Sequence, residues 1–333
     1  MSISTQLQAL PAQWQKMVED KIAPLMEEAK ILITRAKQPT KTSYELGLKL
    51  FNEKKFDEAA LRFKFVIWRK ASHAKAHYYL ALCHLSMNEK YAGLAALNKS
   101  LVYDEKNEEA LYLKATLDNG KYADQYEPHT TPTEMVKIGF SEIARGYNFR
   151  EYEKNYRGHL IIVNYLTELP IIQRSILELG CGAGICGPLI RVYAKKLTGV
   201  DCSPHMIAEA KAFPVQSYDE FIEIDLRDHL LKTAANQYDM IISTNVMQIV
   251  GGLAPVMDGV ANALTNDGHF IFTTYALQAV EGYKFINEIA RFAHSANYIK
   301  QQAARAKLNI VEIRDIKLYD NDTRPAYLVV IQK

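Results

Sequence analysis

Ile176-Leu177-Glu178-Leu179-Gly180-Cys181-Gly182-Ala183-Gly184-Ile185-Cys186-Gly187 is the stretch that decides how this chain folds. An apolar run carries an acid two residues ahead of three alternating glycines, and a helix-like segment follows. Such a run leaves a buried strand through a tight turn whose missing side chains let a ligand touch backbone. Further on, Leu197-Thr198-Gly199-Val200-Asp201 is a second apolar strand ending in an acid. That is the place from which one carboxylate accepts two hydrogen bonds from a ribose diol. Working outward, strands are expected over 175–180, 196–201, 220–225, 238–244 and 268–274. Helices are expected over 185–195, 205–213, 226–235 and 253–265, and a helix over 284–306 leads to strands 309–318 and 325–332. Repeated strand–helix units predict an α/β fold with a doubly wound, mostly parallel, seven-stranded sheet. The turn cluster Asp320-Asn321-Asp322 makes the closing pair an antiparallel hairpin.

Gly182-x-Gly184-x-x-Gly187 also fits the dinucleotide fingerprint, which alone is a weak signal. Charge separates the two readings. A dinucleotide brings a pyrophosphate to the glycine turn, where the carboxylate of Glu178 would repel it. S-adenosylmethionine brings an ammonium and a sulfonium, which the same carboxylate attracts. The acid therefore favours the methyl donor over NAD. A generic α/β turn with Glu178 as a solvated strand-end residue is the bland alternative, and the placement of Asp201 weighs against it.

At 333 residues the chain is long for one domain and comfortable for two. A formal net charge of +2 gives no electrostatic case for nucleic acid or an acidic membrane as partner. With no apolar run of membrane-spanning length and no apolar signal core at the N-terminus, a cytoplasmic protein is expected. The cysteines, Cys83, Cys181, Cys186 and Cys202, show no paired zinc spacing and no disulfide framework. They read as free, packed thiols, and no metal site is expected.

The first half reads as helix. Residues 5–36 carry apolar positions three or four apart, including Leu7, Leu10, Trp14, Met17 and Val18, with Pro24 as a break. After Pro39 a repeat emerges: Tyr44, Tyr78 and Tyr112 are spaced by 34, as are Gly47, Ala81 and Ala115, and Ala59 and Gly93 keep the same step. Small residues at fixed places let paired helices approach, with Phe51, Phe56 and Phe63, and then Leu85, Tyr91 and Leu97, filling the space between. Over residues 42–118 this resembles the tetratricopeptide repeat, with two fairly complete repeats and the first helix of a third. Ala71 stands where that pattern has proline, and Ser100 where it has alanine. An ordinary helical bundle with coincidental spacing is the alternative. The polar stretch Asn119–His129 reads as a linker, giving an all-α domain over 1–125 and an α/β domain over 131–333. Thr131-Pro132-Thr133-Glu134 looks like a capped helix start.

Residues 132–333 resemble the class I methyltransferases that use S-adenosylmethionine. Glu178, Gly180, Gly182 and Gly184 match that family's donor-binding glycine motif. Asp201 matches its ribose-binding acid, and Cys202, Ser203 and Met206 match the loop flanking the adenine. Asp225-Leu226 match the pair that reads the adenine amino group and ring, and Asn245-Val246 the motif beside the methyl group. Each has a plainer reading: Asp225 as a helix cap, Met206 as core, Asn245 as a turn residue. The segment Pro132–Ala144, the pair Tyr156-Arg157 and the run Arg291-Phe292-Ala293-His294-Ser295-x-x-Tyr298 resemble bacterial predicted methyltransferases that carry tetratricopeptide repeats. Ser141 departs from that family's aspartate.

Methyl transfer from a sulfonium is an in-line displacement that needs alignment and exclusion of water more than an acid–base pair. If the acceptor is a hydroxyl, phenol or ammonium, one base helps. His294 is the candidate base, with a packing histidine as the competing reading, and Tyr275 is a candidate for the acceptor pocket. By the resemblance, Tyr156 and Arg157 close the entrance over the donor carboxylate. Three functions stay open. One is a methyltransferase whose repeats dock a protein or carrier-bound acceptor; another is a small-molecule methyltransferase whose repeats serve dimerisation or pocket closure. The third is a non-catalytic protein that binds the donor.

Overall fold

A computed structural model describes residues 38–117, 130–133, 135–137, 155–170, 174–278, 281–286 and 289–333. The expected helix over 5–36, the linker Asn119–His129 and the cap partner Glu134 lie outside these residues. The chain divides into two compact units, Met1–Ala110 and Leu111–Lys333.

The second unit is built on strands β1 (Arg174–Leu179), β2 (Ala194–Asp201), β3 (Glu220–Glu223), β4 (Tyr238–Ser243) and β5 (Leu264–Ala276), parallel in the order β3-β2-β1-β4-β5. β9 (Ala326–Gln332) runs antiparallel on β5, and β8 (Asn309–Ile316) antiparallel on β9. Alternate residues of each strand enter opposite cores, as the period of two requires. Leu177, Leu179, Ile241, Phe270, Phe272, Val329 and Ile331 pack on one side with α9 (Leu226–Lys232), α10 (Ala254–Ala263) and α11 (Ala296–Arg305). Ile176, Leu197, Met240, Ile242, Ile271, Leu328 and Val330 pack on the other with α6 (Gly158–Thr167) and α7 (Gly187–Ile190). Both faces of the sheet are covered, which is why these strands read as continuous apolar runs.

Among the described residues the sheet has nine strands, not seven. The helix expected over 284–306 is instead β6 (Tyr283–Ile286), β7 (Arg291–His294) and then α11. Tyr275 pairs with Ala326 of β9 and also with Ala293 of β7. A strand has two edges, so β7 occupies the one that β4 holds only as far as Ser243 opposite Phe272. That unfilled edge takes a hairpin whose Phe285 and Phe292 bury together, and tertiary pairing overrides the helical pattern.

In the first unit α1 (Pro39–Asn52), α2 (Phe56–Arg69), α3 (Ala74–Ser86) and α4 (Lys90–Tyr103) pack in sequence, and α5 (Glu108–Leu117) runs across the division between the units. The 34-residue step extends to hydrogen bonds. Lys54 N donates to Phe51 O and Lys55 N to Leu50 O; Asn88 N donates to Leu85 O and Glu89 N to His84 O. Lys54 and Asn88 both take left-handed backbone, with φ of 61° and 62°. A Cβ on Gly47 would stand 2.8 Å from the Phe63 ring, and one on Gly93 2.7 Å from Leu85, so these glycines permit the close helix approach. Tyr91 does not fill the space between helices: it is 90 % exposed, because its position on α4 faces outward. No helix among the described residues is long and apolar enough to cross a membrane.

Candidate active site

A cavity of about 260 Å³ lies at the carboxyl ends of β1, β2 and β4. Glu178, Gly180 and Gly182 line it from β1 and its turn, Asp201 and Cys202 from the end of β2, and Asn245-Val246 from beyond β4. Gly180 has φ +72°, and a Cβ there would stand 2.3 Å from Val246 Cγ2, so only glycine lets the two loops close together. A Cβ on Gly182 (φ +53°) would meet nothing within 4 Å: backbone here faces open space. Asp201 holds the turn by accepting from Gly182 N (3.0 Å) and Ser203 N (2.8 Å), and Ser203 in turn caps α8 (Pro204–Ala212), which brings the buried Met206 to the cavity wall. Burial raises the Asp201 pKa in spite of these bonds.

Glu178 is 1 % exposed, and its Oε2 accepts from the Tyr218 hydroxyl at 2.6 Å. No basic side chain among the described residues pairs with it. Burial pushes its carboxyl up to about 8, further raised by the charge of Asp201 and opposed by the Tyr218 bond. A buried acid without a cation is costly, and a cationic ligand removes that cost.

On one flank, Asp225 lines the cavity with Leu226 and also caps α9, so the functional and the plain reading both hold in place. Its Oδ1 accepts from Arg227 N and Nε, and its Oδ2 from Thr133 Oγ1 and Arg227 Nη2. These bonds hold its pKa near 2 against the cost of burial. With four acceptor positions filled, Asp225 shapes this end and has little left to read an amino group. On the other flank the rings of Tyr156 and Tyr319 lie 5.1 Å apart, and Tyr319 donates to Asn245 Oδ1 at 3.1 Å. Asn245 also has a left-handed φ of 57°, which suits its place in the turn.

Four expected site residues do not line the cavity. Gly184 has φ +79°, and a Cβ there would meet Ala210 at 3.2 Å, so it serves the packing of the turn on α8. Arg157 is partly exposed and forked onto Asp320 through Nε (3.1 Å) and Nη2, which leaves it committed to a carboxylate of its own chain. Tyr275 is buried and donates to Asp322 Oδ2 at 3.0 Å. His294 is fully buried in β7, its Nδ1 bonded to Thr274 Oγ1 at 2.8 Å and its Nε2 to Val250 O at 2.8 Å. Burial lowers its pKa to about 4. It is a satisfied packing histidine, and neither it nor Tyr275 is placed to act as a catalytic group.

The structure adds residues that the sequence reading passed over. The Tyr218 ring fills the space left by Gly187 and Gly199 and carries the hydroxyl that bonds Glu178. His159 lines the cavity, is 3 % exposed, and has a buried Nδ1 with no hydrogen-bond partner. Burial, then the nearby Arg157 charge, lowers its pKa and keeps the ring neutral. Thr130 and Tyr319 also line it, as do Thr131 and Arg291, which the sequence offered only as a helix start and as the head of the run that holds His294. The one local signal was the nearness of His159 to Tyr156-Arg157; the others come from segments that only the fold assembles.

A buried acid lacking a cation, open backbone at Gly182 and an acid at the end of β2 fit an adenosyl sulfonium with an amino-acid tail. Residues 177–270 match the family model described as "Methyltransferase domain". The chain is 25 % identical over 146 residues to the ubiquinone biosynthesis O-methyltransferase of Salmonella paratyphi A, covering 41 % of this chain and 60 % of that protein. It is 30 % identical over 139 residues to the trans-aconitate 2-methyltransferase of Streptomyces avermitilis, covering 40 % and 49 %. The chain thus spans about half to three fifths of the length of these curated relatives. The crystal structure of magnesium protoporphyrin IX methyltransferase from Synechocystis PCC 6803 with bound S-adenosylmethionine is similar with a TM-score of 0.46 at 14 % identity, covering 60 % of this chain and 96 % of that one. Residues 177–270, which hold the glycine turn and both acids, thus match a methyltransferase domain.

Proposed function

We propose that the full chain transfers a methyl group from S-adenosylmethionine to a small-molecule acceptor. The observation that carries this reading is Glu178, an acid 1 % exposed at the glycine turn whose bonding partners among the described residues are a phenol and a thiol and no cation. Such a site suits a ligand that arrives with an ammonium and a sulfonium and repels a pyrophosphate. The bound donor supplies an activated methyl group on sulfur. Asp201 orients the ribose, Gly180 and Gly182 let backbone approach, and Tyr156 and Tyr319 wall the cavity against water. His159, neutral and without a partner at Nδ1, is positioned to accept a hydrogen bond inside the cavity. The names of the relatives, which concern ubiquinone biosynthesis and trans-aconitate, support a small acceptor. Calorimetry with S-adenosylmethionine, S-adenosylhomocysteine and NAD tests the site: the first two bind and NAD does not. Tight NAD binding with no response to the methyl donor would sink the reading.

A second reading adds a docking role for the helices. Their 34-residue step in hydrogen bonds, left-handed turns and glycines supports a tetratricopeptide-like array. On α2, Leu61 is 66 % and Trp68 75 % exposed, an apolar surface suited to a peptide or carrier that bears the acceptor. Replacing Leu61 and Trp68 together by serine tests it: methylation of a free small acceptor is unchanged, and methylation of a carrier-bound one falls.

A further inference from the structure

We propose that the methyl acceptor is an organic acid whose carboxylate sits on Arg291 and Thr131, a reading that rests on the methyl transfer proposed above. Arg291 opens β7 and lines the cavity beside Thr130, Thr131, Ile249 and Val250. Other arginines around this region each hold a carboxylate: Arg227 pairs with Asp225, Arg157 with Asp320, and Arg324 with Asp322. Arg291 pairs with no acid among the described residues, and its one hydrogen bond runs from Nη1 to the neighbouring Ala290 O at 2.9 Å. A half-buried guanidinium facing an apolar wall without a counter-ion is a site for an anion, and its planar fork matches a carboxylate.

Thr131 is the second observation. It is 5 % exposed and lines the same cavity, and its buried Oγ1 makes no hydrogen bond of ordinary geometry, with only the Tyr112 hydroxyl beside it. Its backbone N–H is already given to Ile249 O at 2.9 Å, so the hydroxyl is the group left to donate. A buried hydroxyl stays unsatisfied only at a cost, which a ligand oxygen removes.

Sheet register places this pair on the acceptor side. Ala293 stands opposite Tyr275, which sets Arg291 level with Thr273, one residue past the point where β4 ends at Ser243 opposite Phe272. Arg291 therefore overlooks the loop carrying Asn245 and Val246, whereas Glu178 and Asp201 belong to β1 and β2. Val136, Ile249 and Val250 add an apolar wall for the rest of the acid.

Calorimetry on the full chain saturated with S-adenosylhomocysteine tests this with matched probes: benzoate against benzamide, cinnamate against cinnamamide, and phenyl phosphate. The acids are expected to bind at least tenfold more tightly than the amides. Arg291→Gln should weaken the acids about 10- to 100-fold, the scale of a lost bond to a charged group, with Arg291→Lys recovering part and S-adenosylhomocysteine affinity kept within twofold. Thr131→Val should weaken them several-fold. Acids binding no better than amides, or equally well to Arg291→Gln, overturns the proposal. So does a loss of S-adenosylhomocysteine affinity in Arg291→Gln, which would assign the guanidinium to the donor's own carboxylate. Phenyl phosphate binding tenfold above benzoate replaces the carboxylate by a phosphate and overturns the assignment as made. Failure of the wild type to bind S-adenosylhomocysteine falls on the donor site instead.

Discussion

The parallel wing of the sheet, β1 to β4, and the wing from β5 to β9 carry their polar residues for opposite purposes. In the parallel wing, Glu178 is a buried and Asp201 a half-buried acid at a strand end, and no basic side chain among the described residues neutralises either. In the other wing His294 and Tyr275, and at the head of α6 Arg157, resemble catalytic groups by residue type, yet each bonds a partner within the fold. Residue type announces chemistry only where bonding capacity is left over. Arg291 and His159 meet that condition, and His294 does not.

The sharpest way to break this contrast is His294→Ala. It strands Thr274 Oγ1 and a backbone carbonyl in the core and should cost about 2–4 kcal/mol of unfolding free energy, from a cavity plus lost bonds. Donor affinity should stay within a few-fold. Urea melts beside calorimetry decide the matter; unchanged stability with lost turnover would return His294 to catalysis. Because its pKa falls from 6.5 to about 4 on folding, the unfolded chain binds the extra proton. His294 therefore makes stability drop as pH falls from 6.5 towards 4.

Asp201→Ala belongs to the opposite class. It should weaken S-adenosylhomocysteine by about 1.5–3 kcal/mol, the scale for bonds to a charged group. A variant that melts early yet binds normally would show that Asp201 merely ties Gly182 and Ser203 together.

Glu178 gives a smaller effect with the reverse slope in pH. Its pKa rises from 4.5 to about 8, so the folded state keeps a proton that the unfolded chain releases. The ligand-free protein therefore loses stability as pH climbs from 4.5 to 8. Binding a cationic donor favours the ionised carboxylate, so affinity should improve with pH up to about 8, and roughly one proton should leave per donor bound at pH 7. Calorimetry in two buffers of different ionisation enthalpy counts that proton, and Glu178→Gln should abolish its release.

Arg157→Ala should do least. The pair with Asp320 is solvent-screened, so neither melting nor donor affinity should change measurably. A clear loss of donor affinity would put Arg157 back in the site.

The donor half of the site was legible because its parts are local. Glu178, Gly180 and Gly182 share one strand and turn, and the left-handed backbone at the glycines follows from the residue type itself. Asp225 was legible as a lining residue, but the Arg227 and Thr133 bonds that fill its carboxylate were not, since Thr133 comes from 92 residues away. In the helical unit the 34-residue step was plain, while the outward turn of Tyr91 depended on where α4 packs.

By itself the sequence determined the alternating strands and helices, the glycine turn and its two acids, because steric freedom and periodicity act within a dozen residues. Only the tertiary structure decided that 283–294 would be a hairpin, since the free edge of β5 beyond Ser243 is made by strands distant in sequence. Only the tertiary structure, too, decided which polar groups were left unpartnered. Partnership depends on what packs opposite, as Val250 does to His294 from 44 residues away, and no local pattern records that.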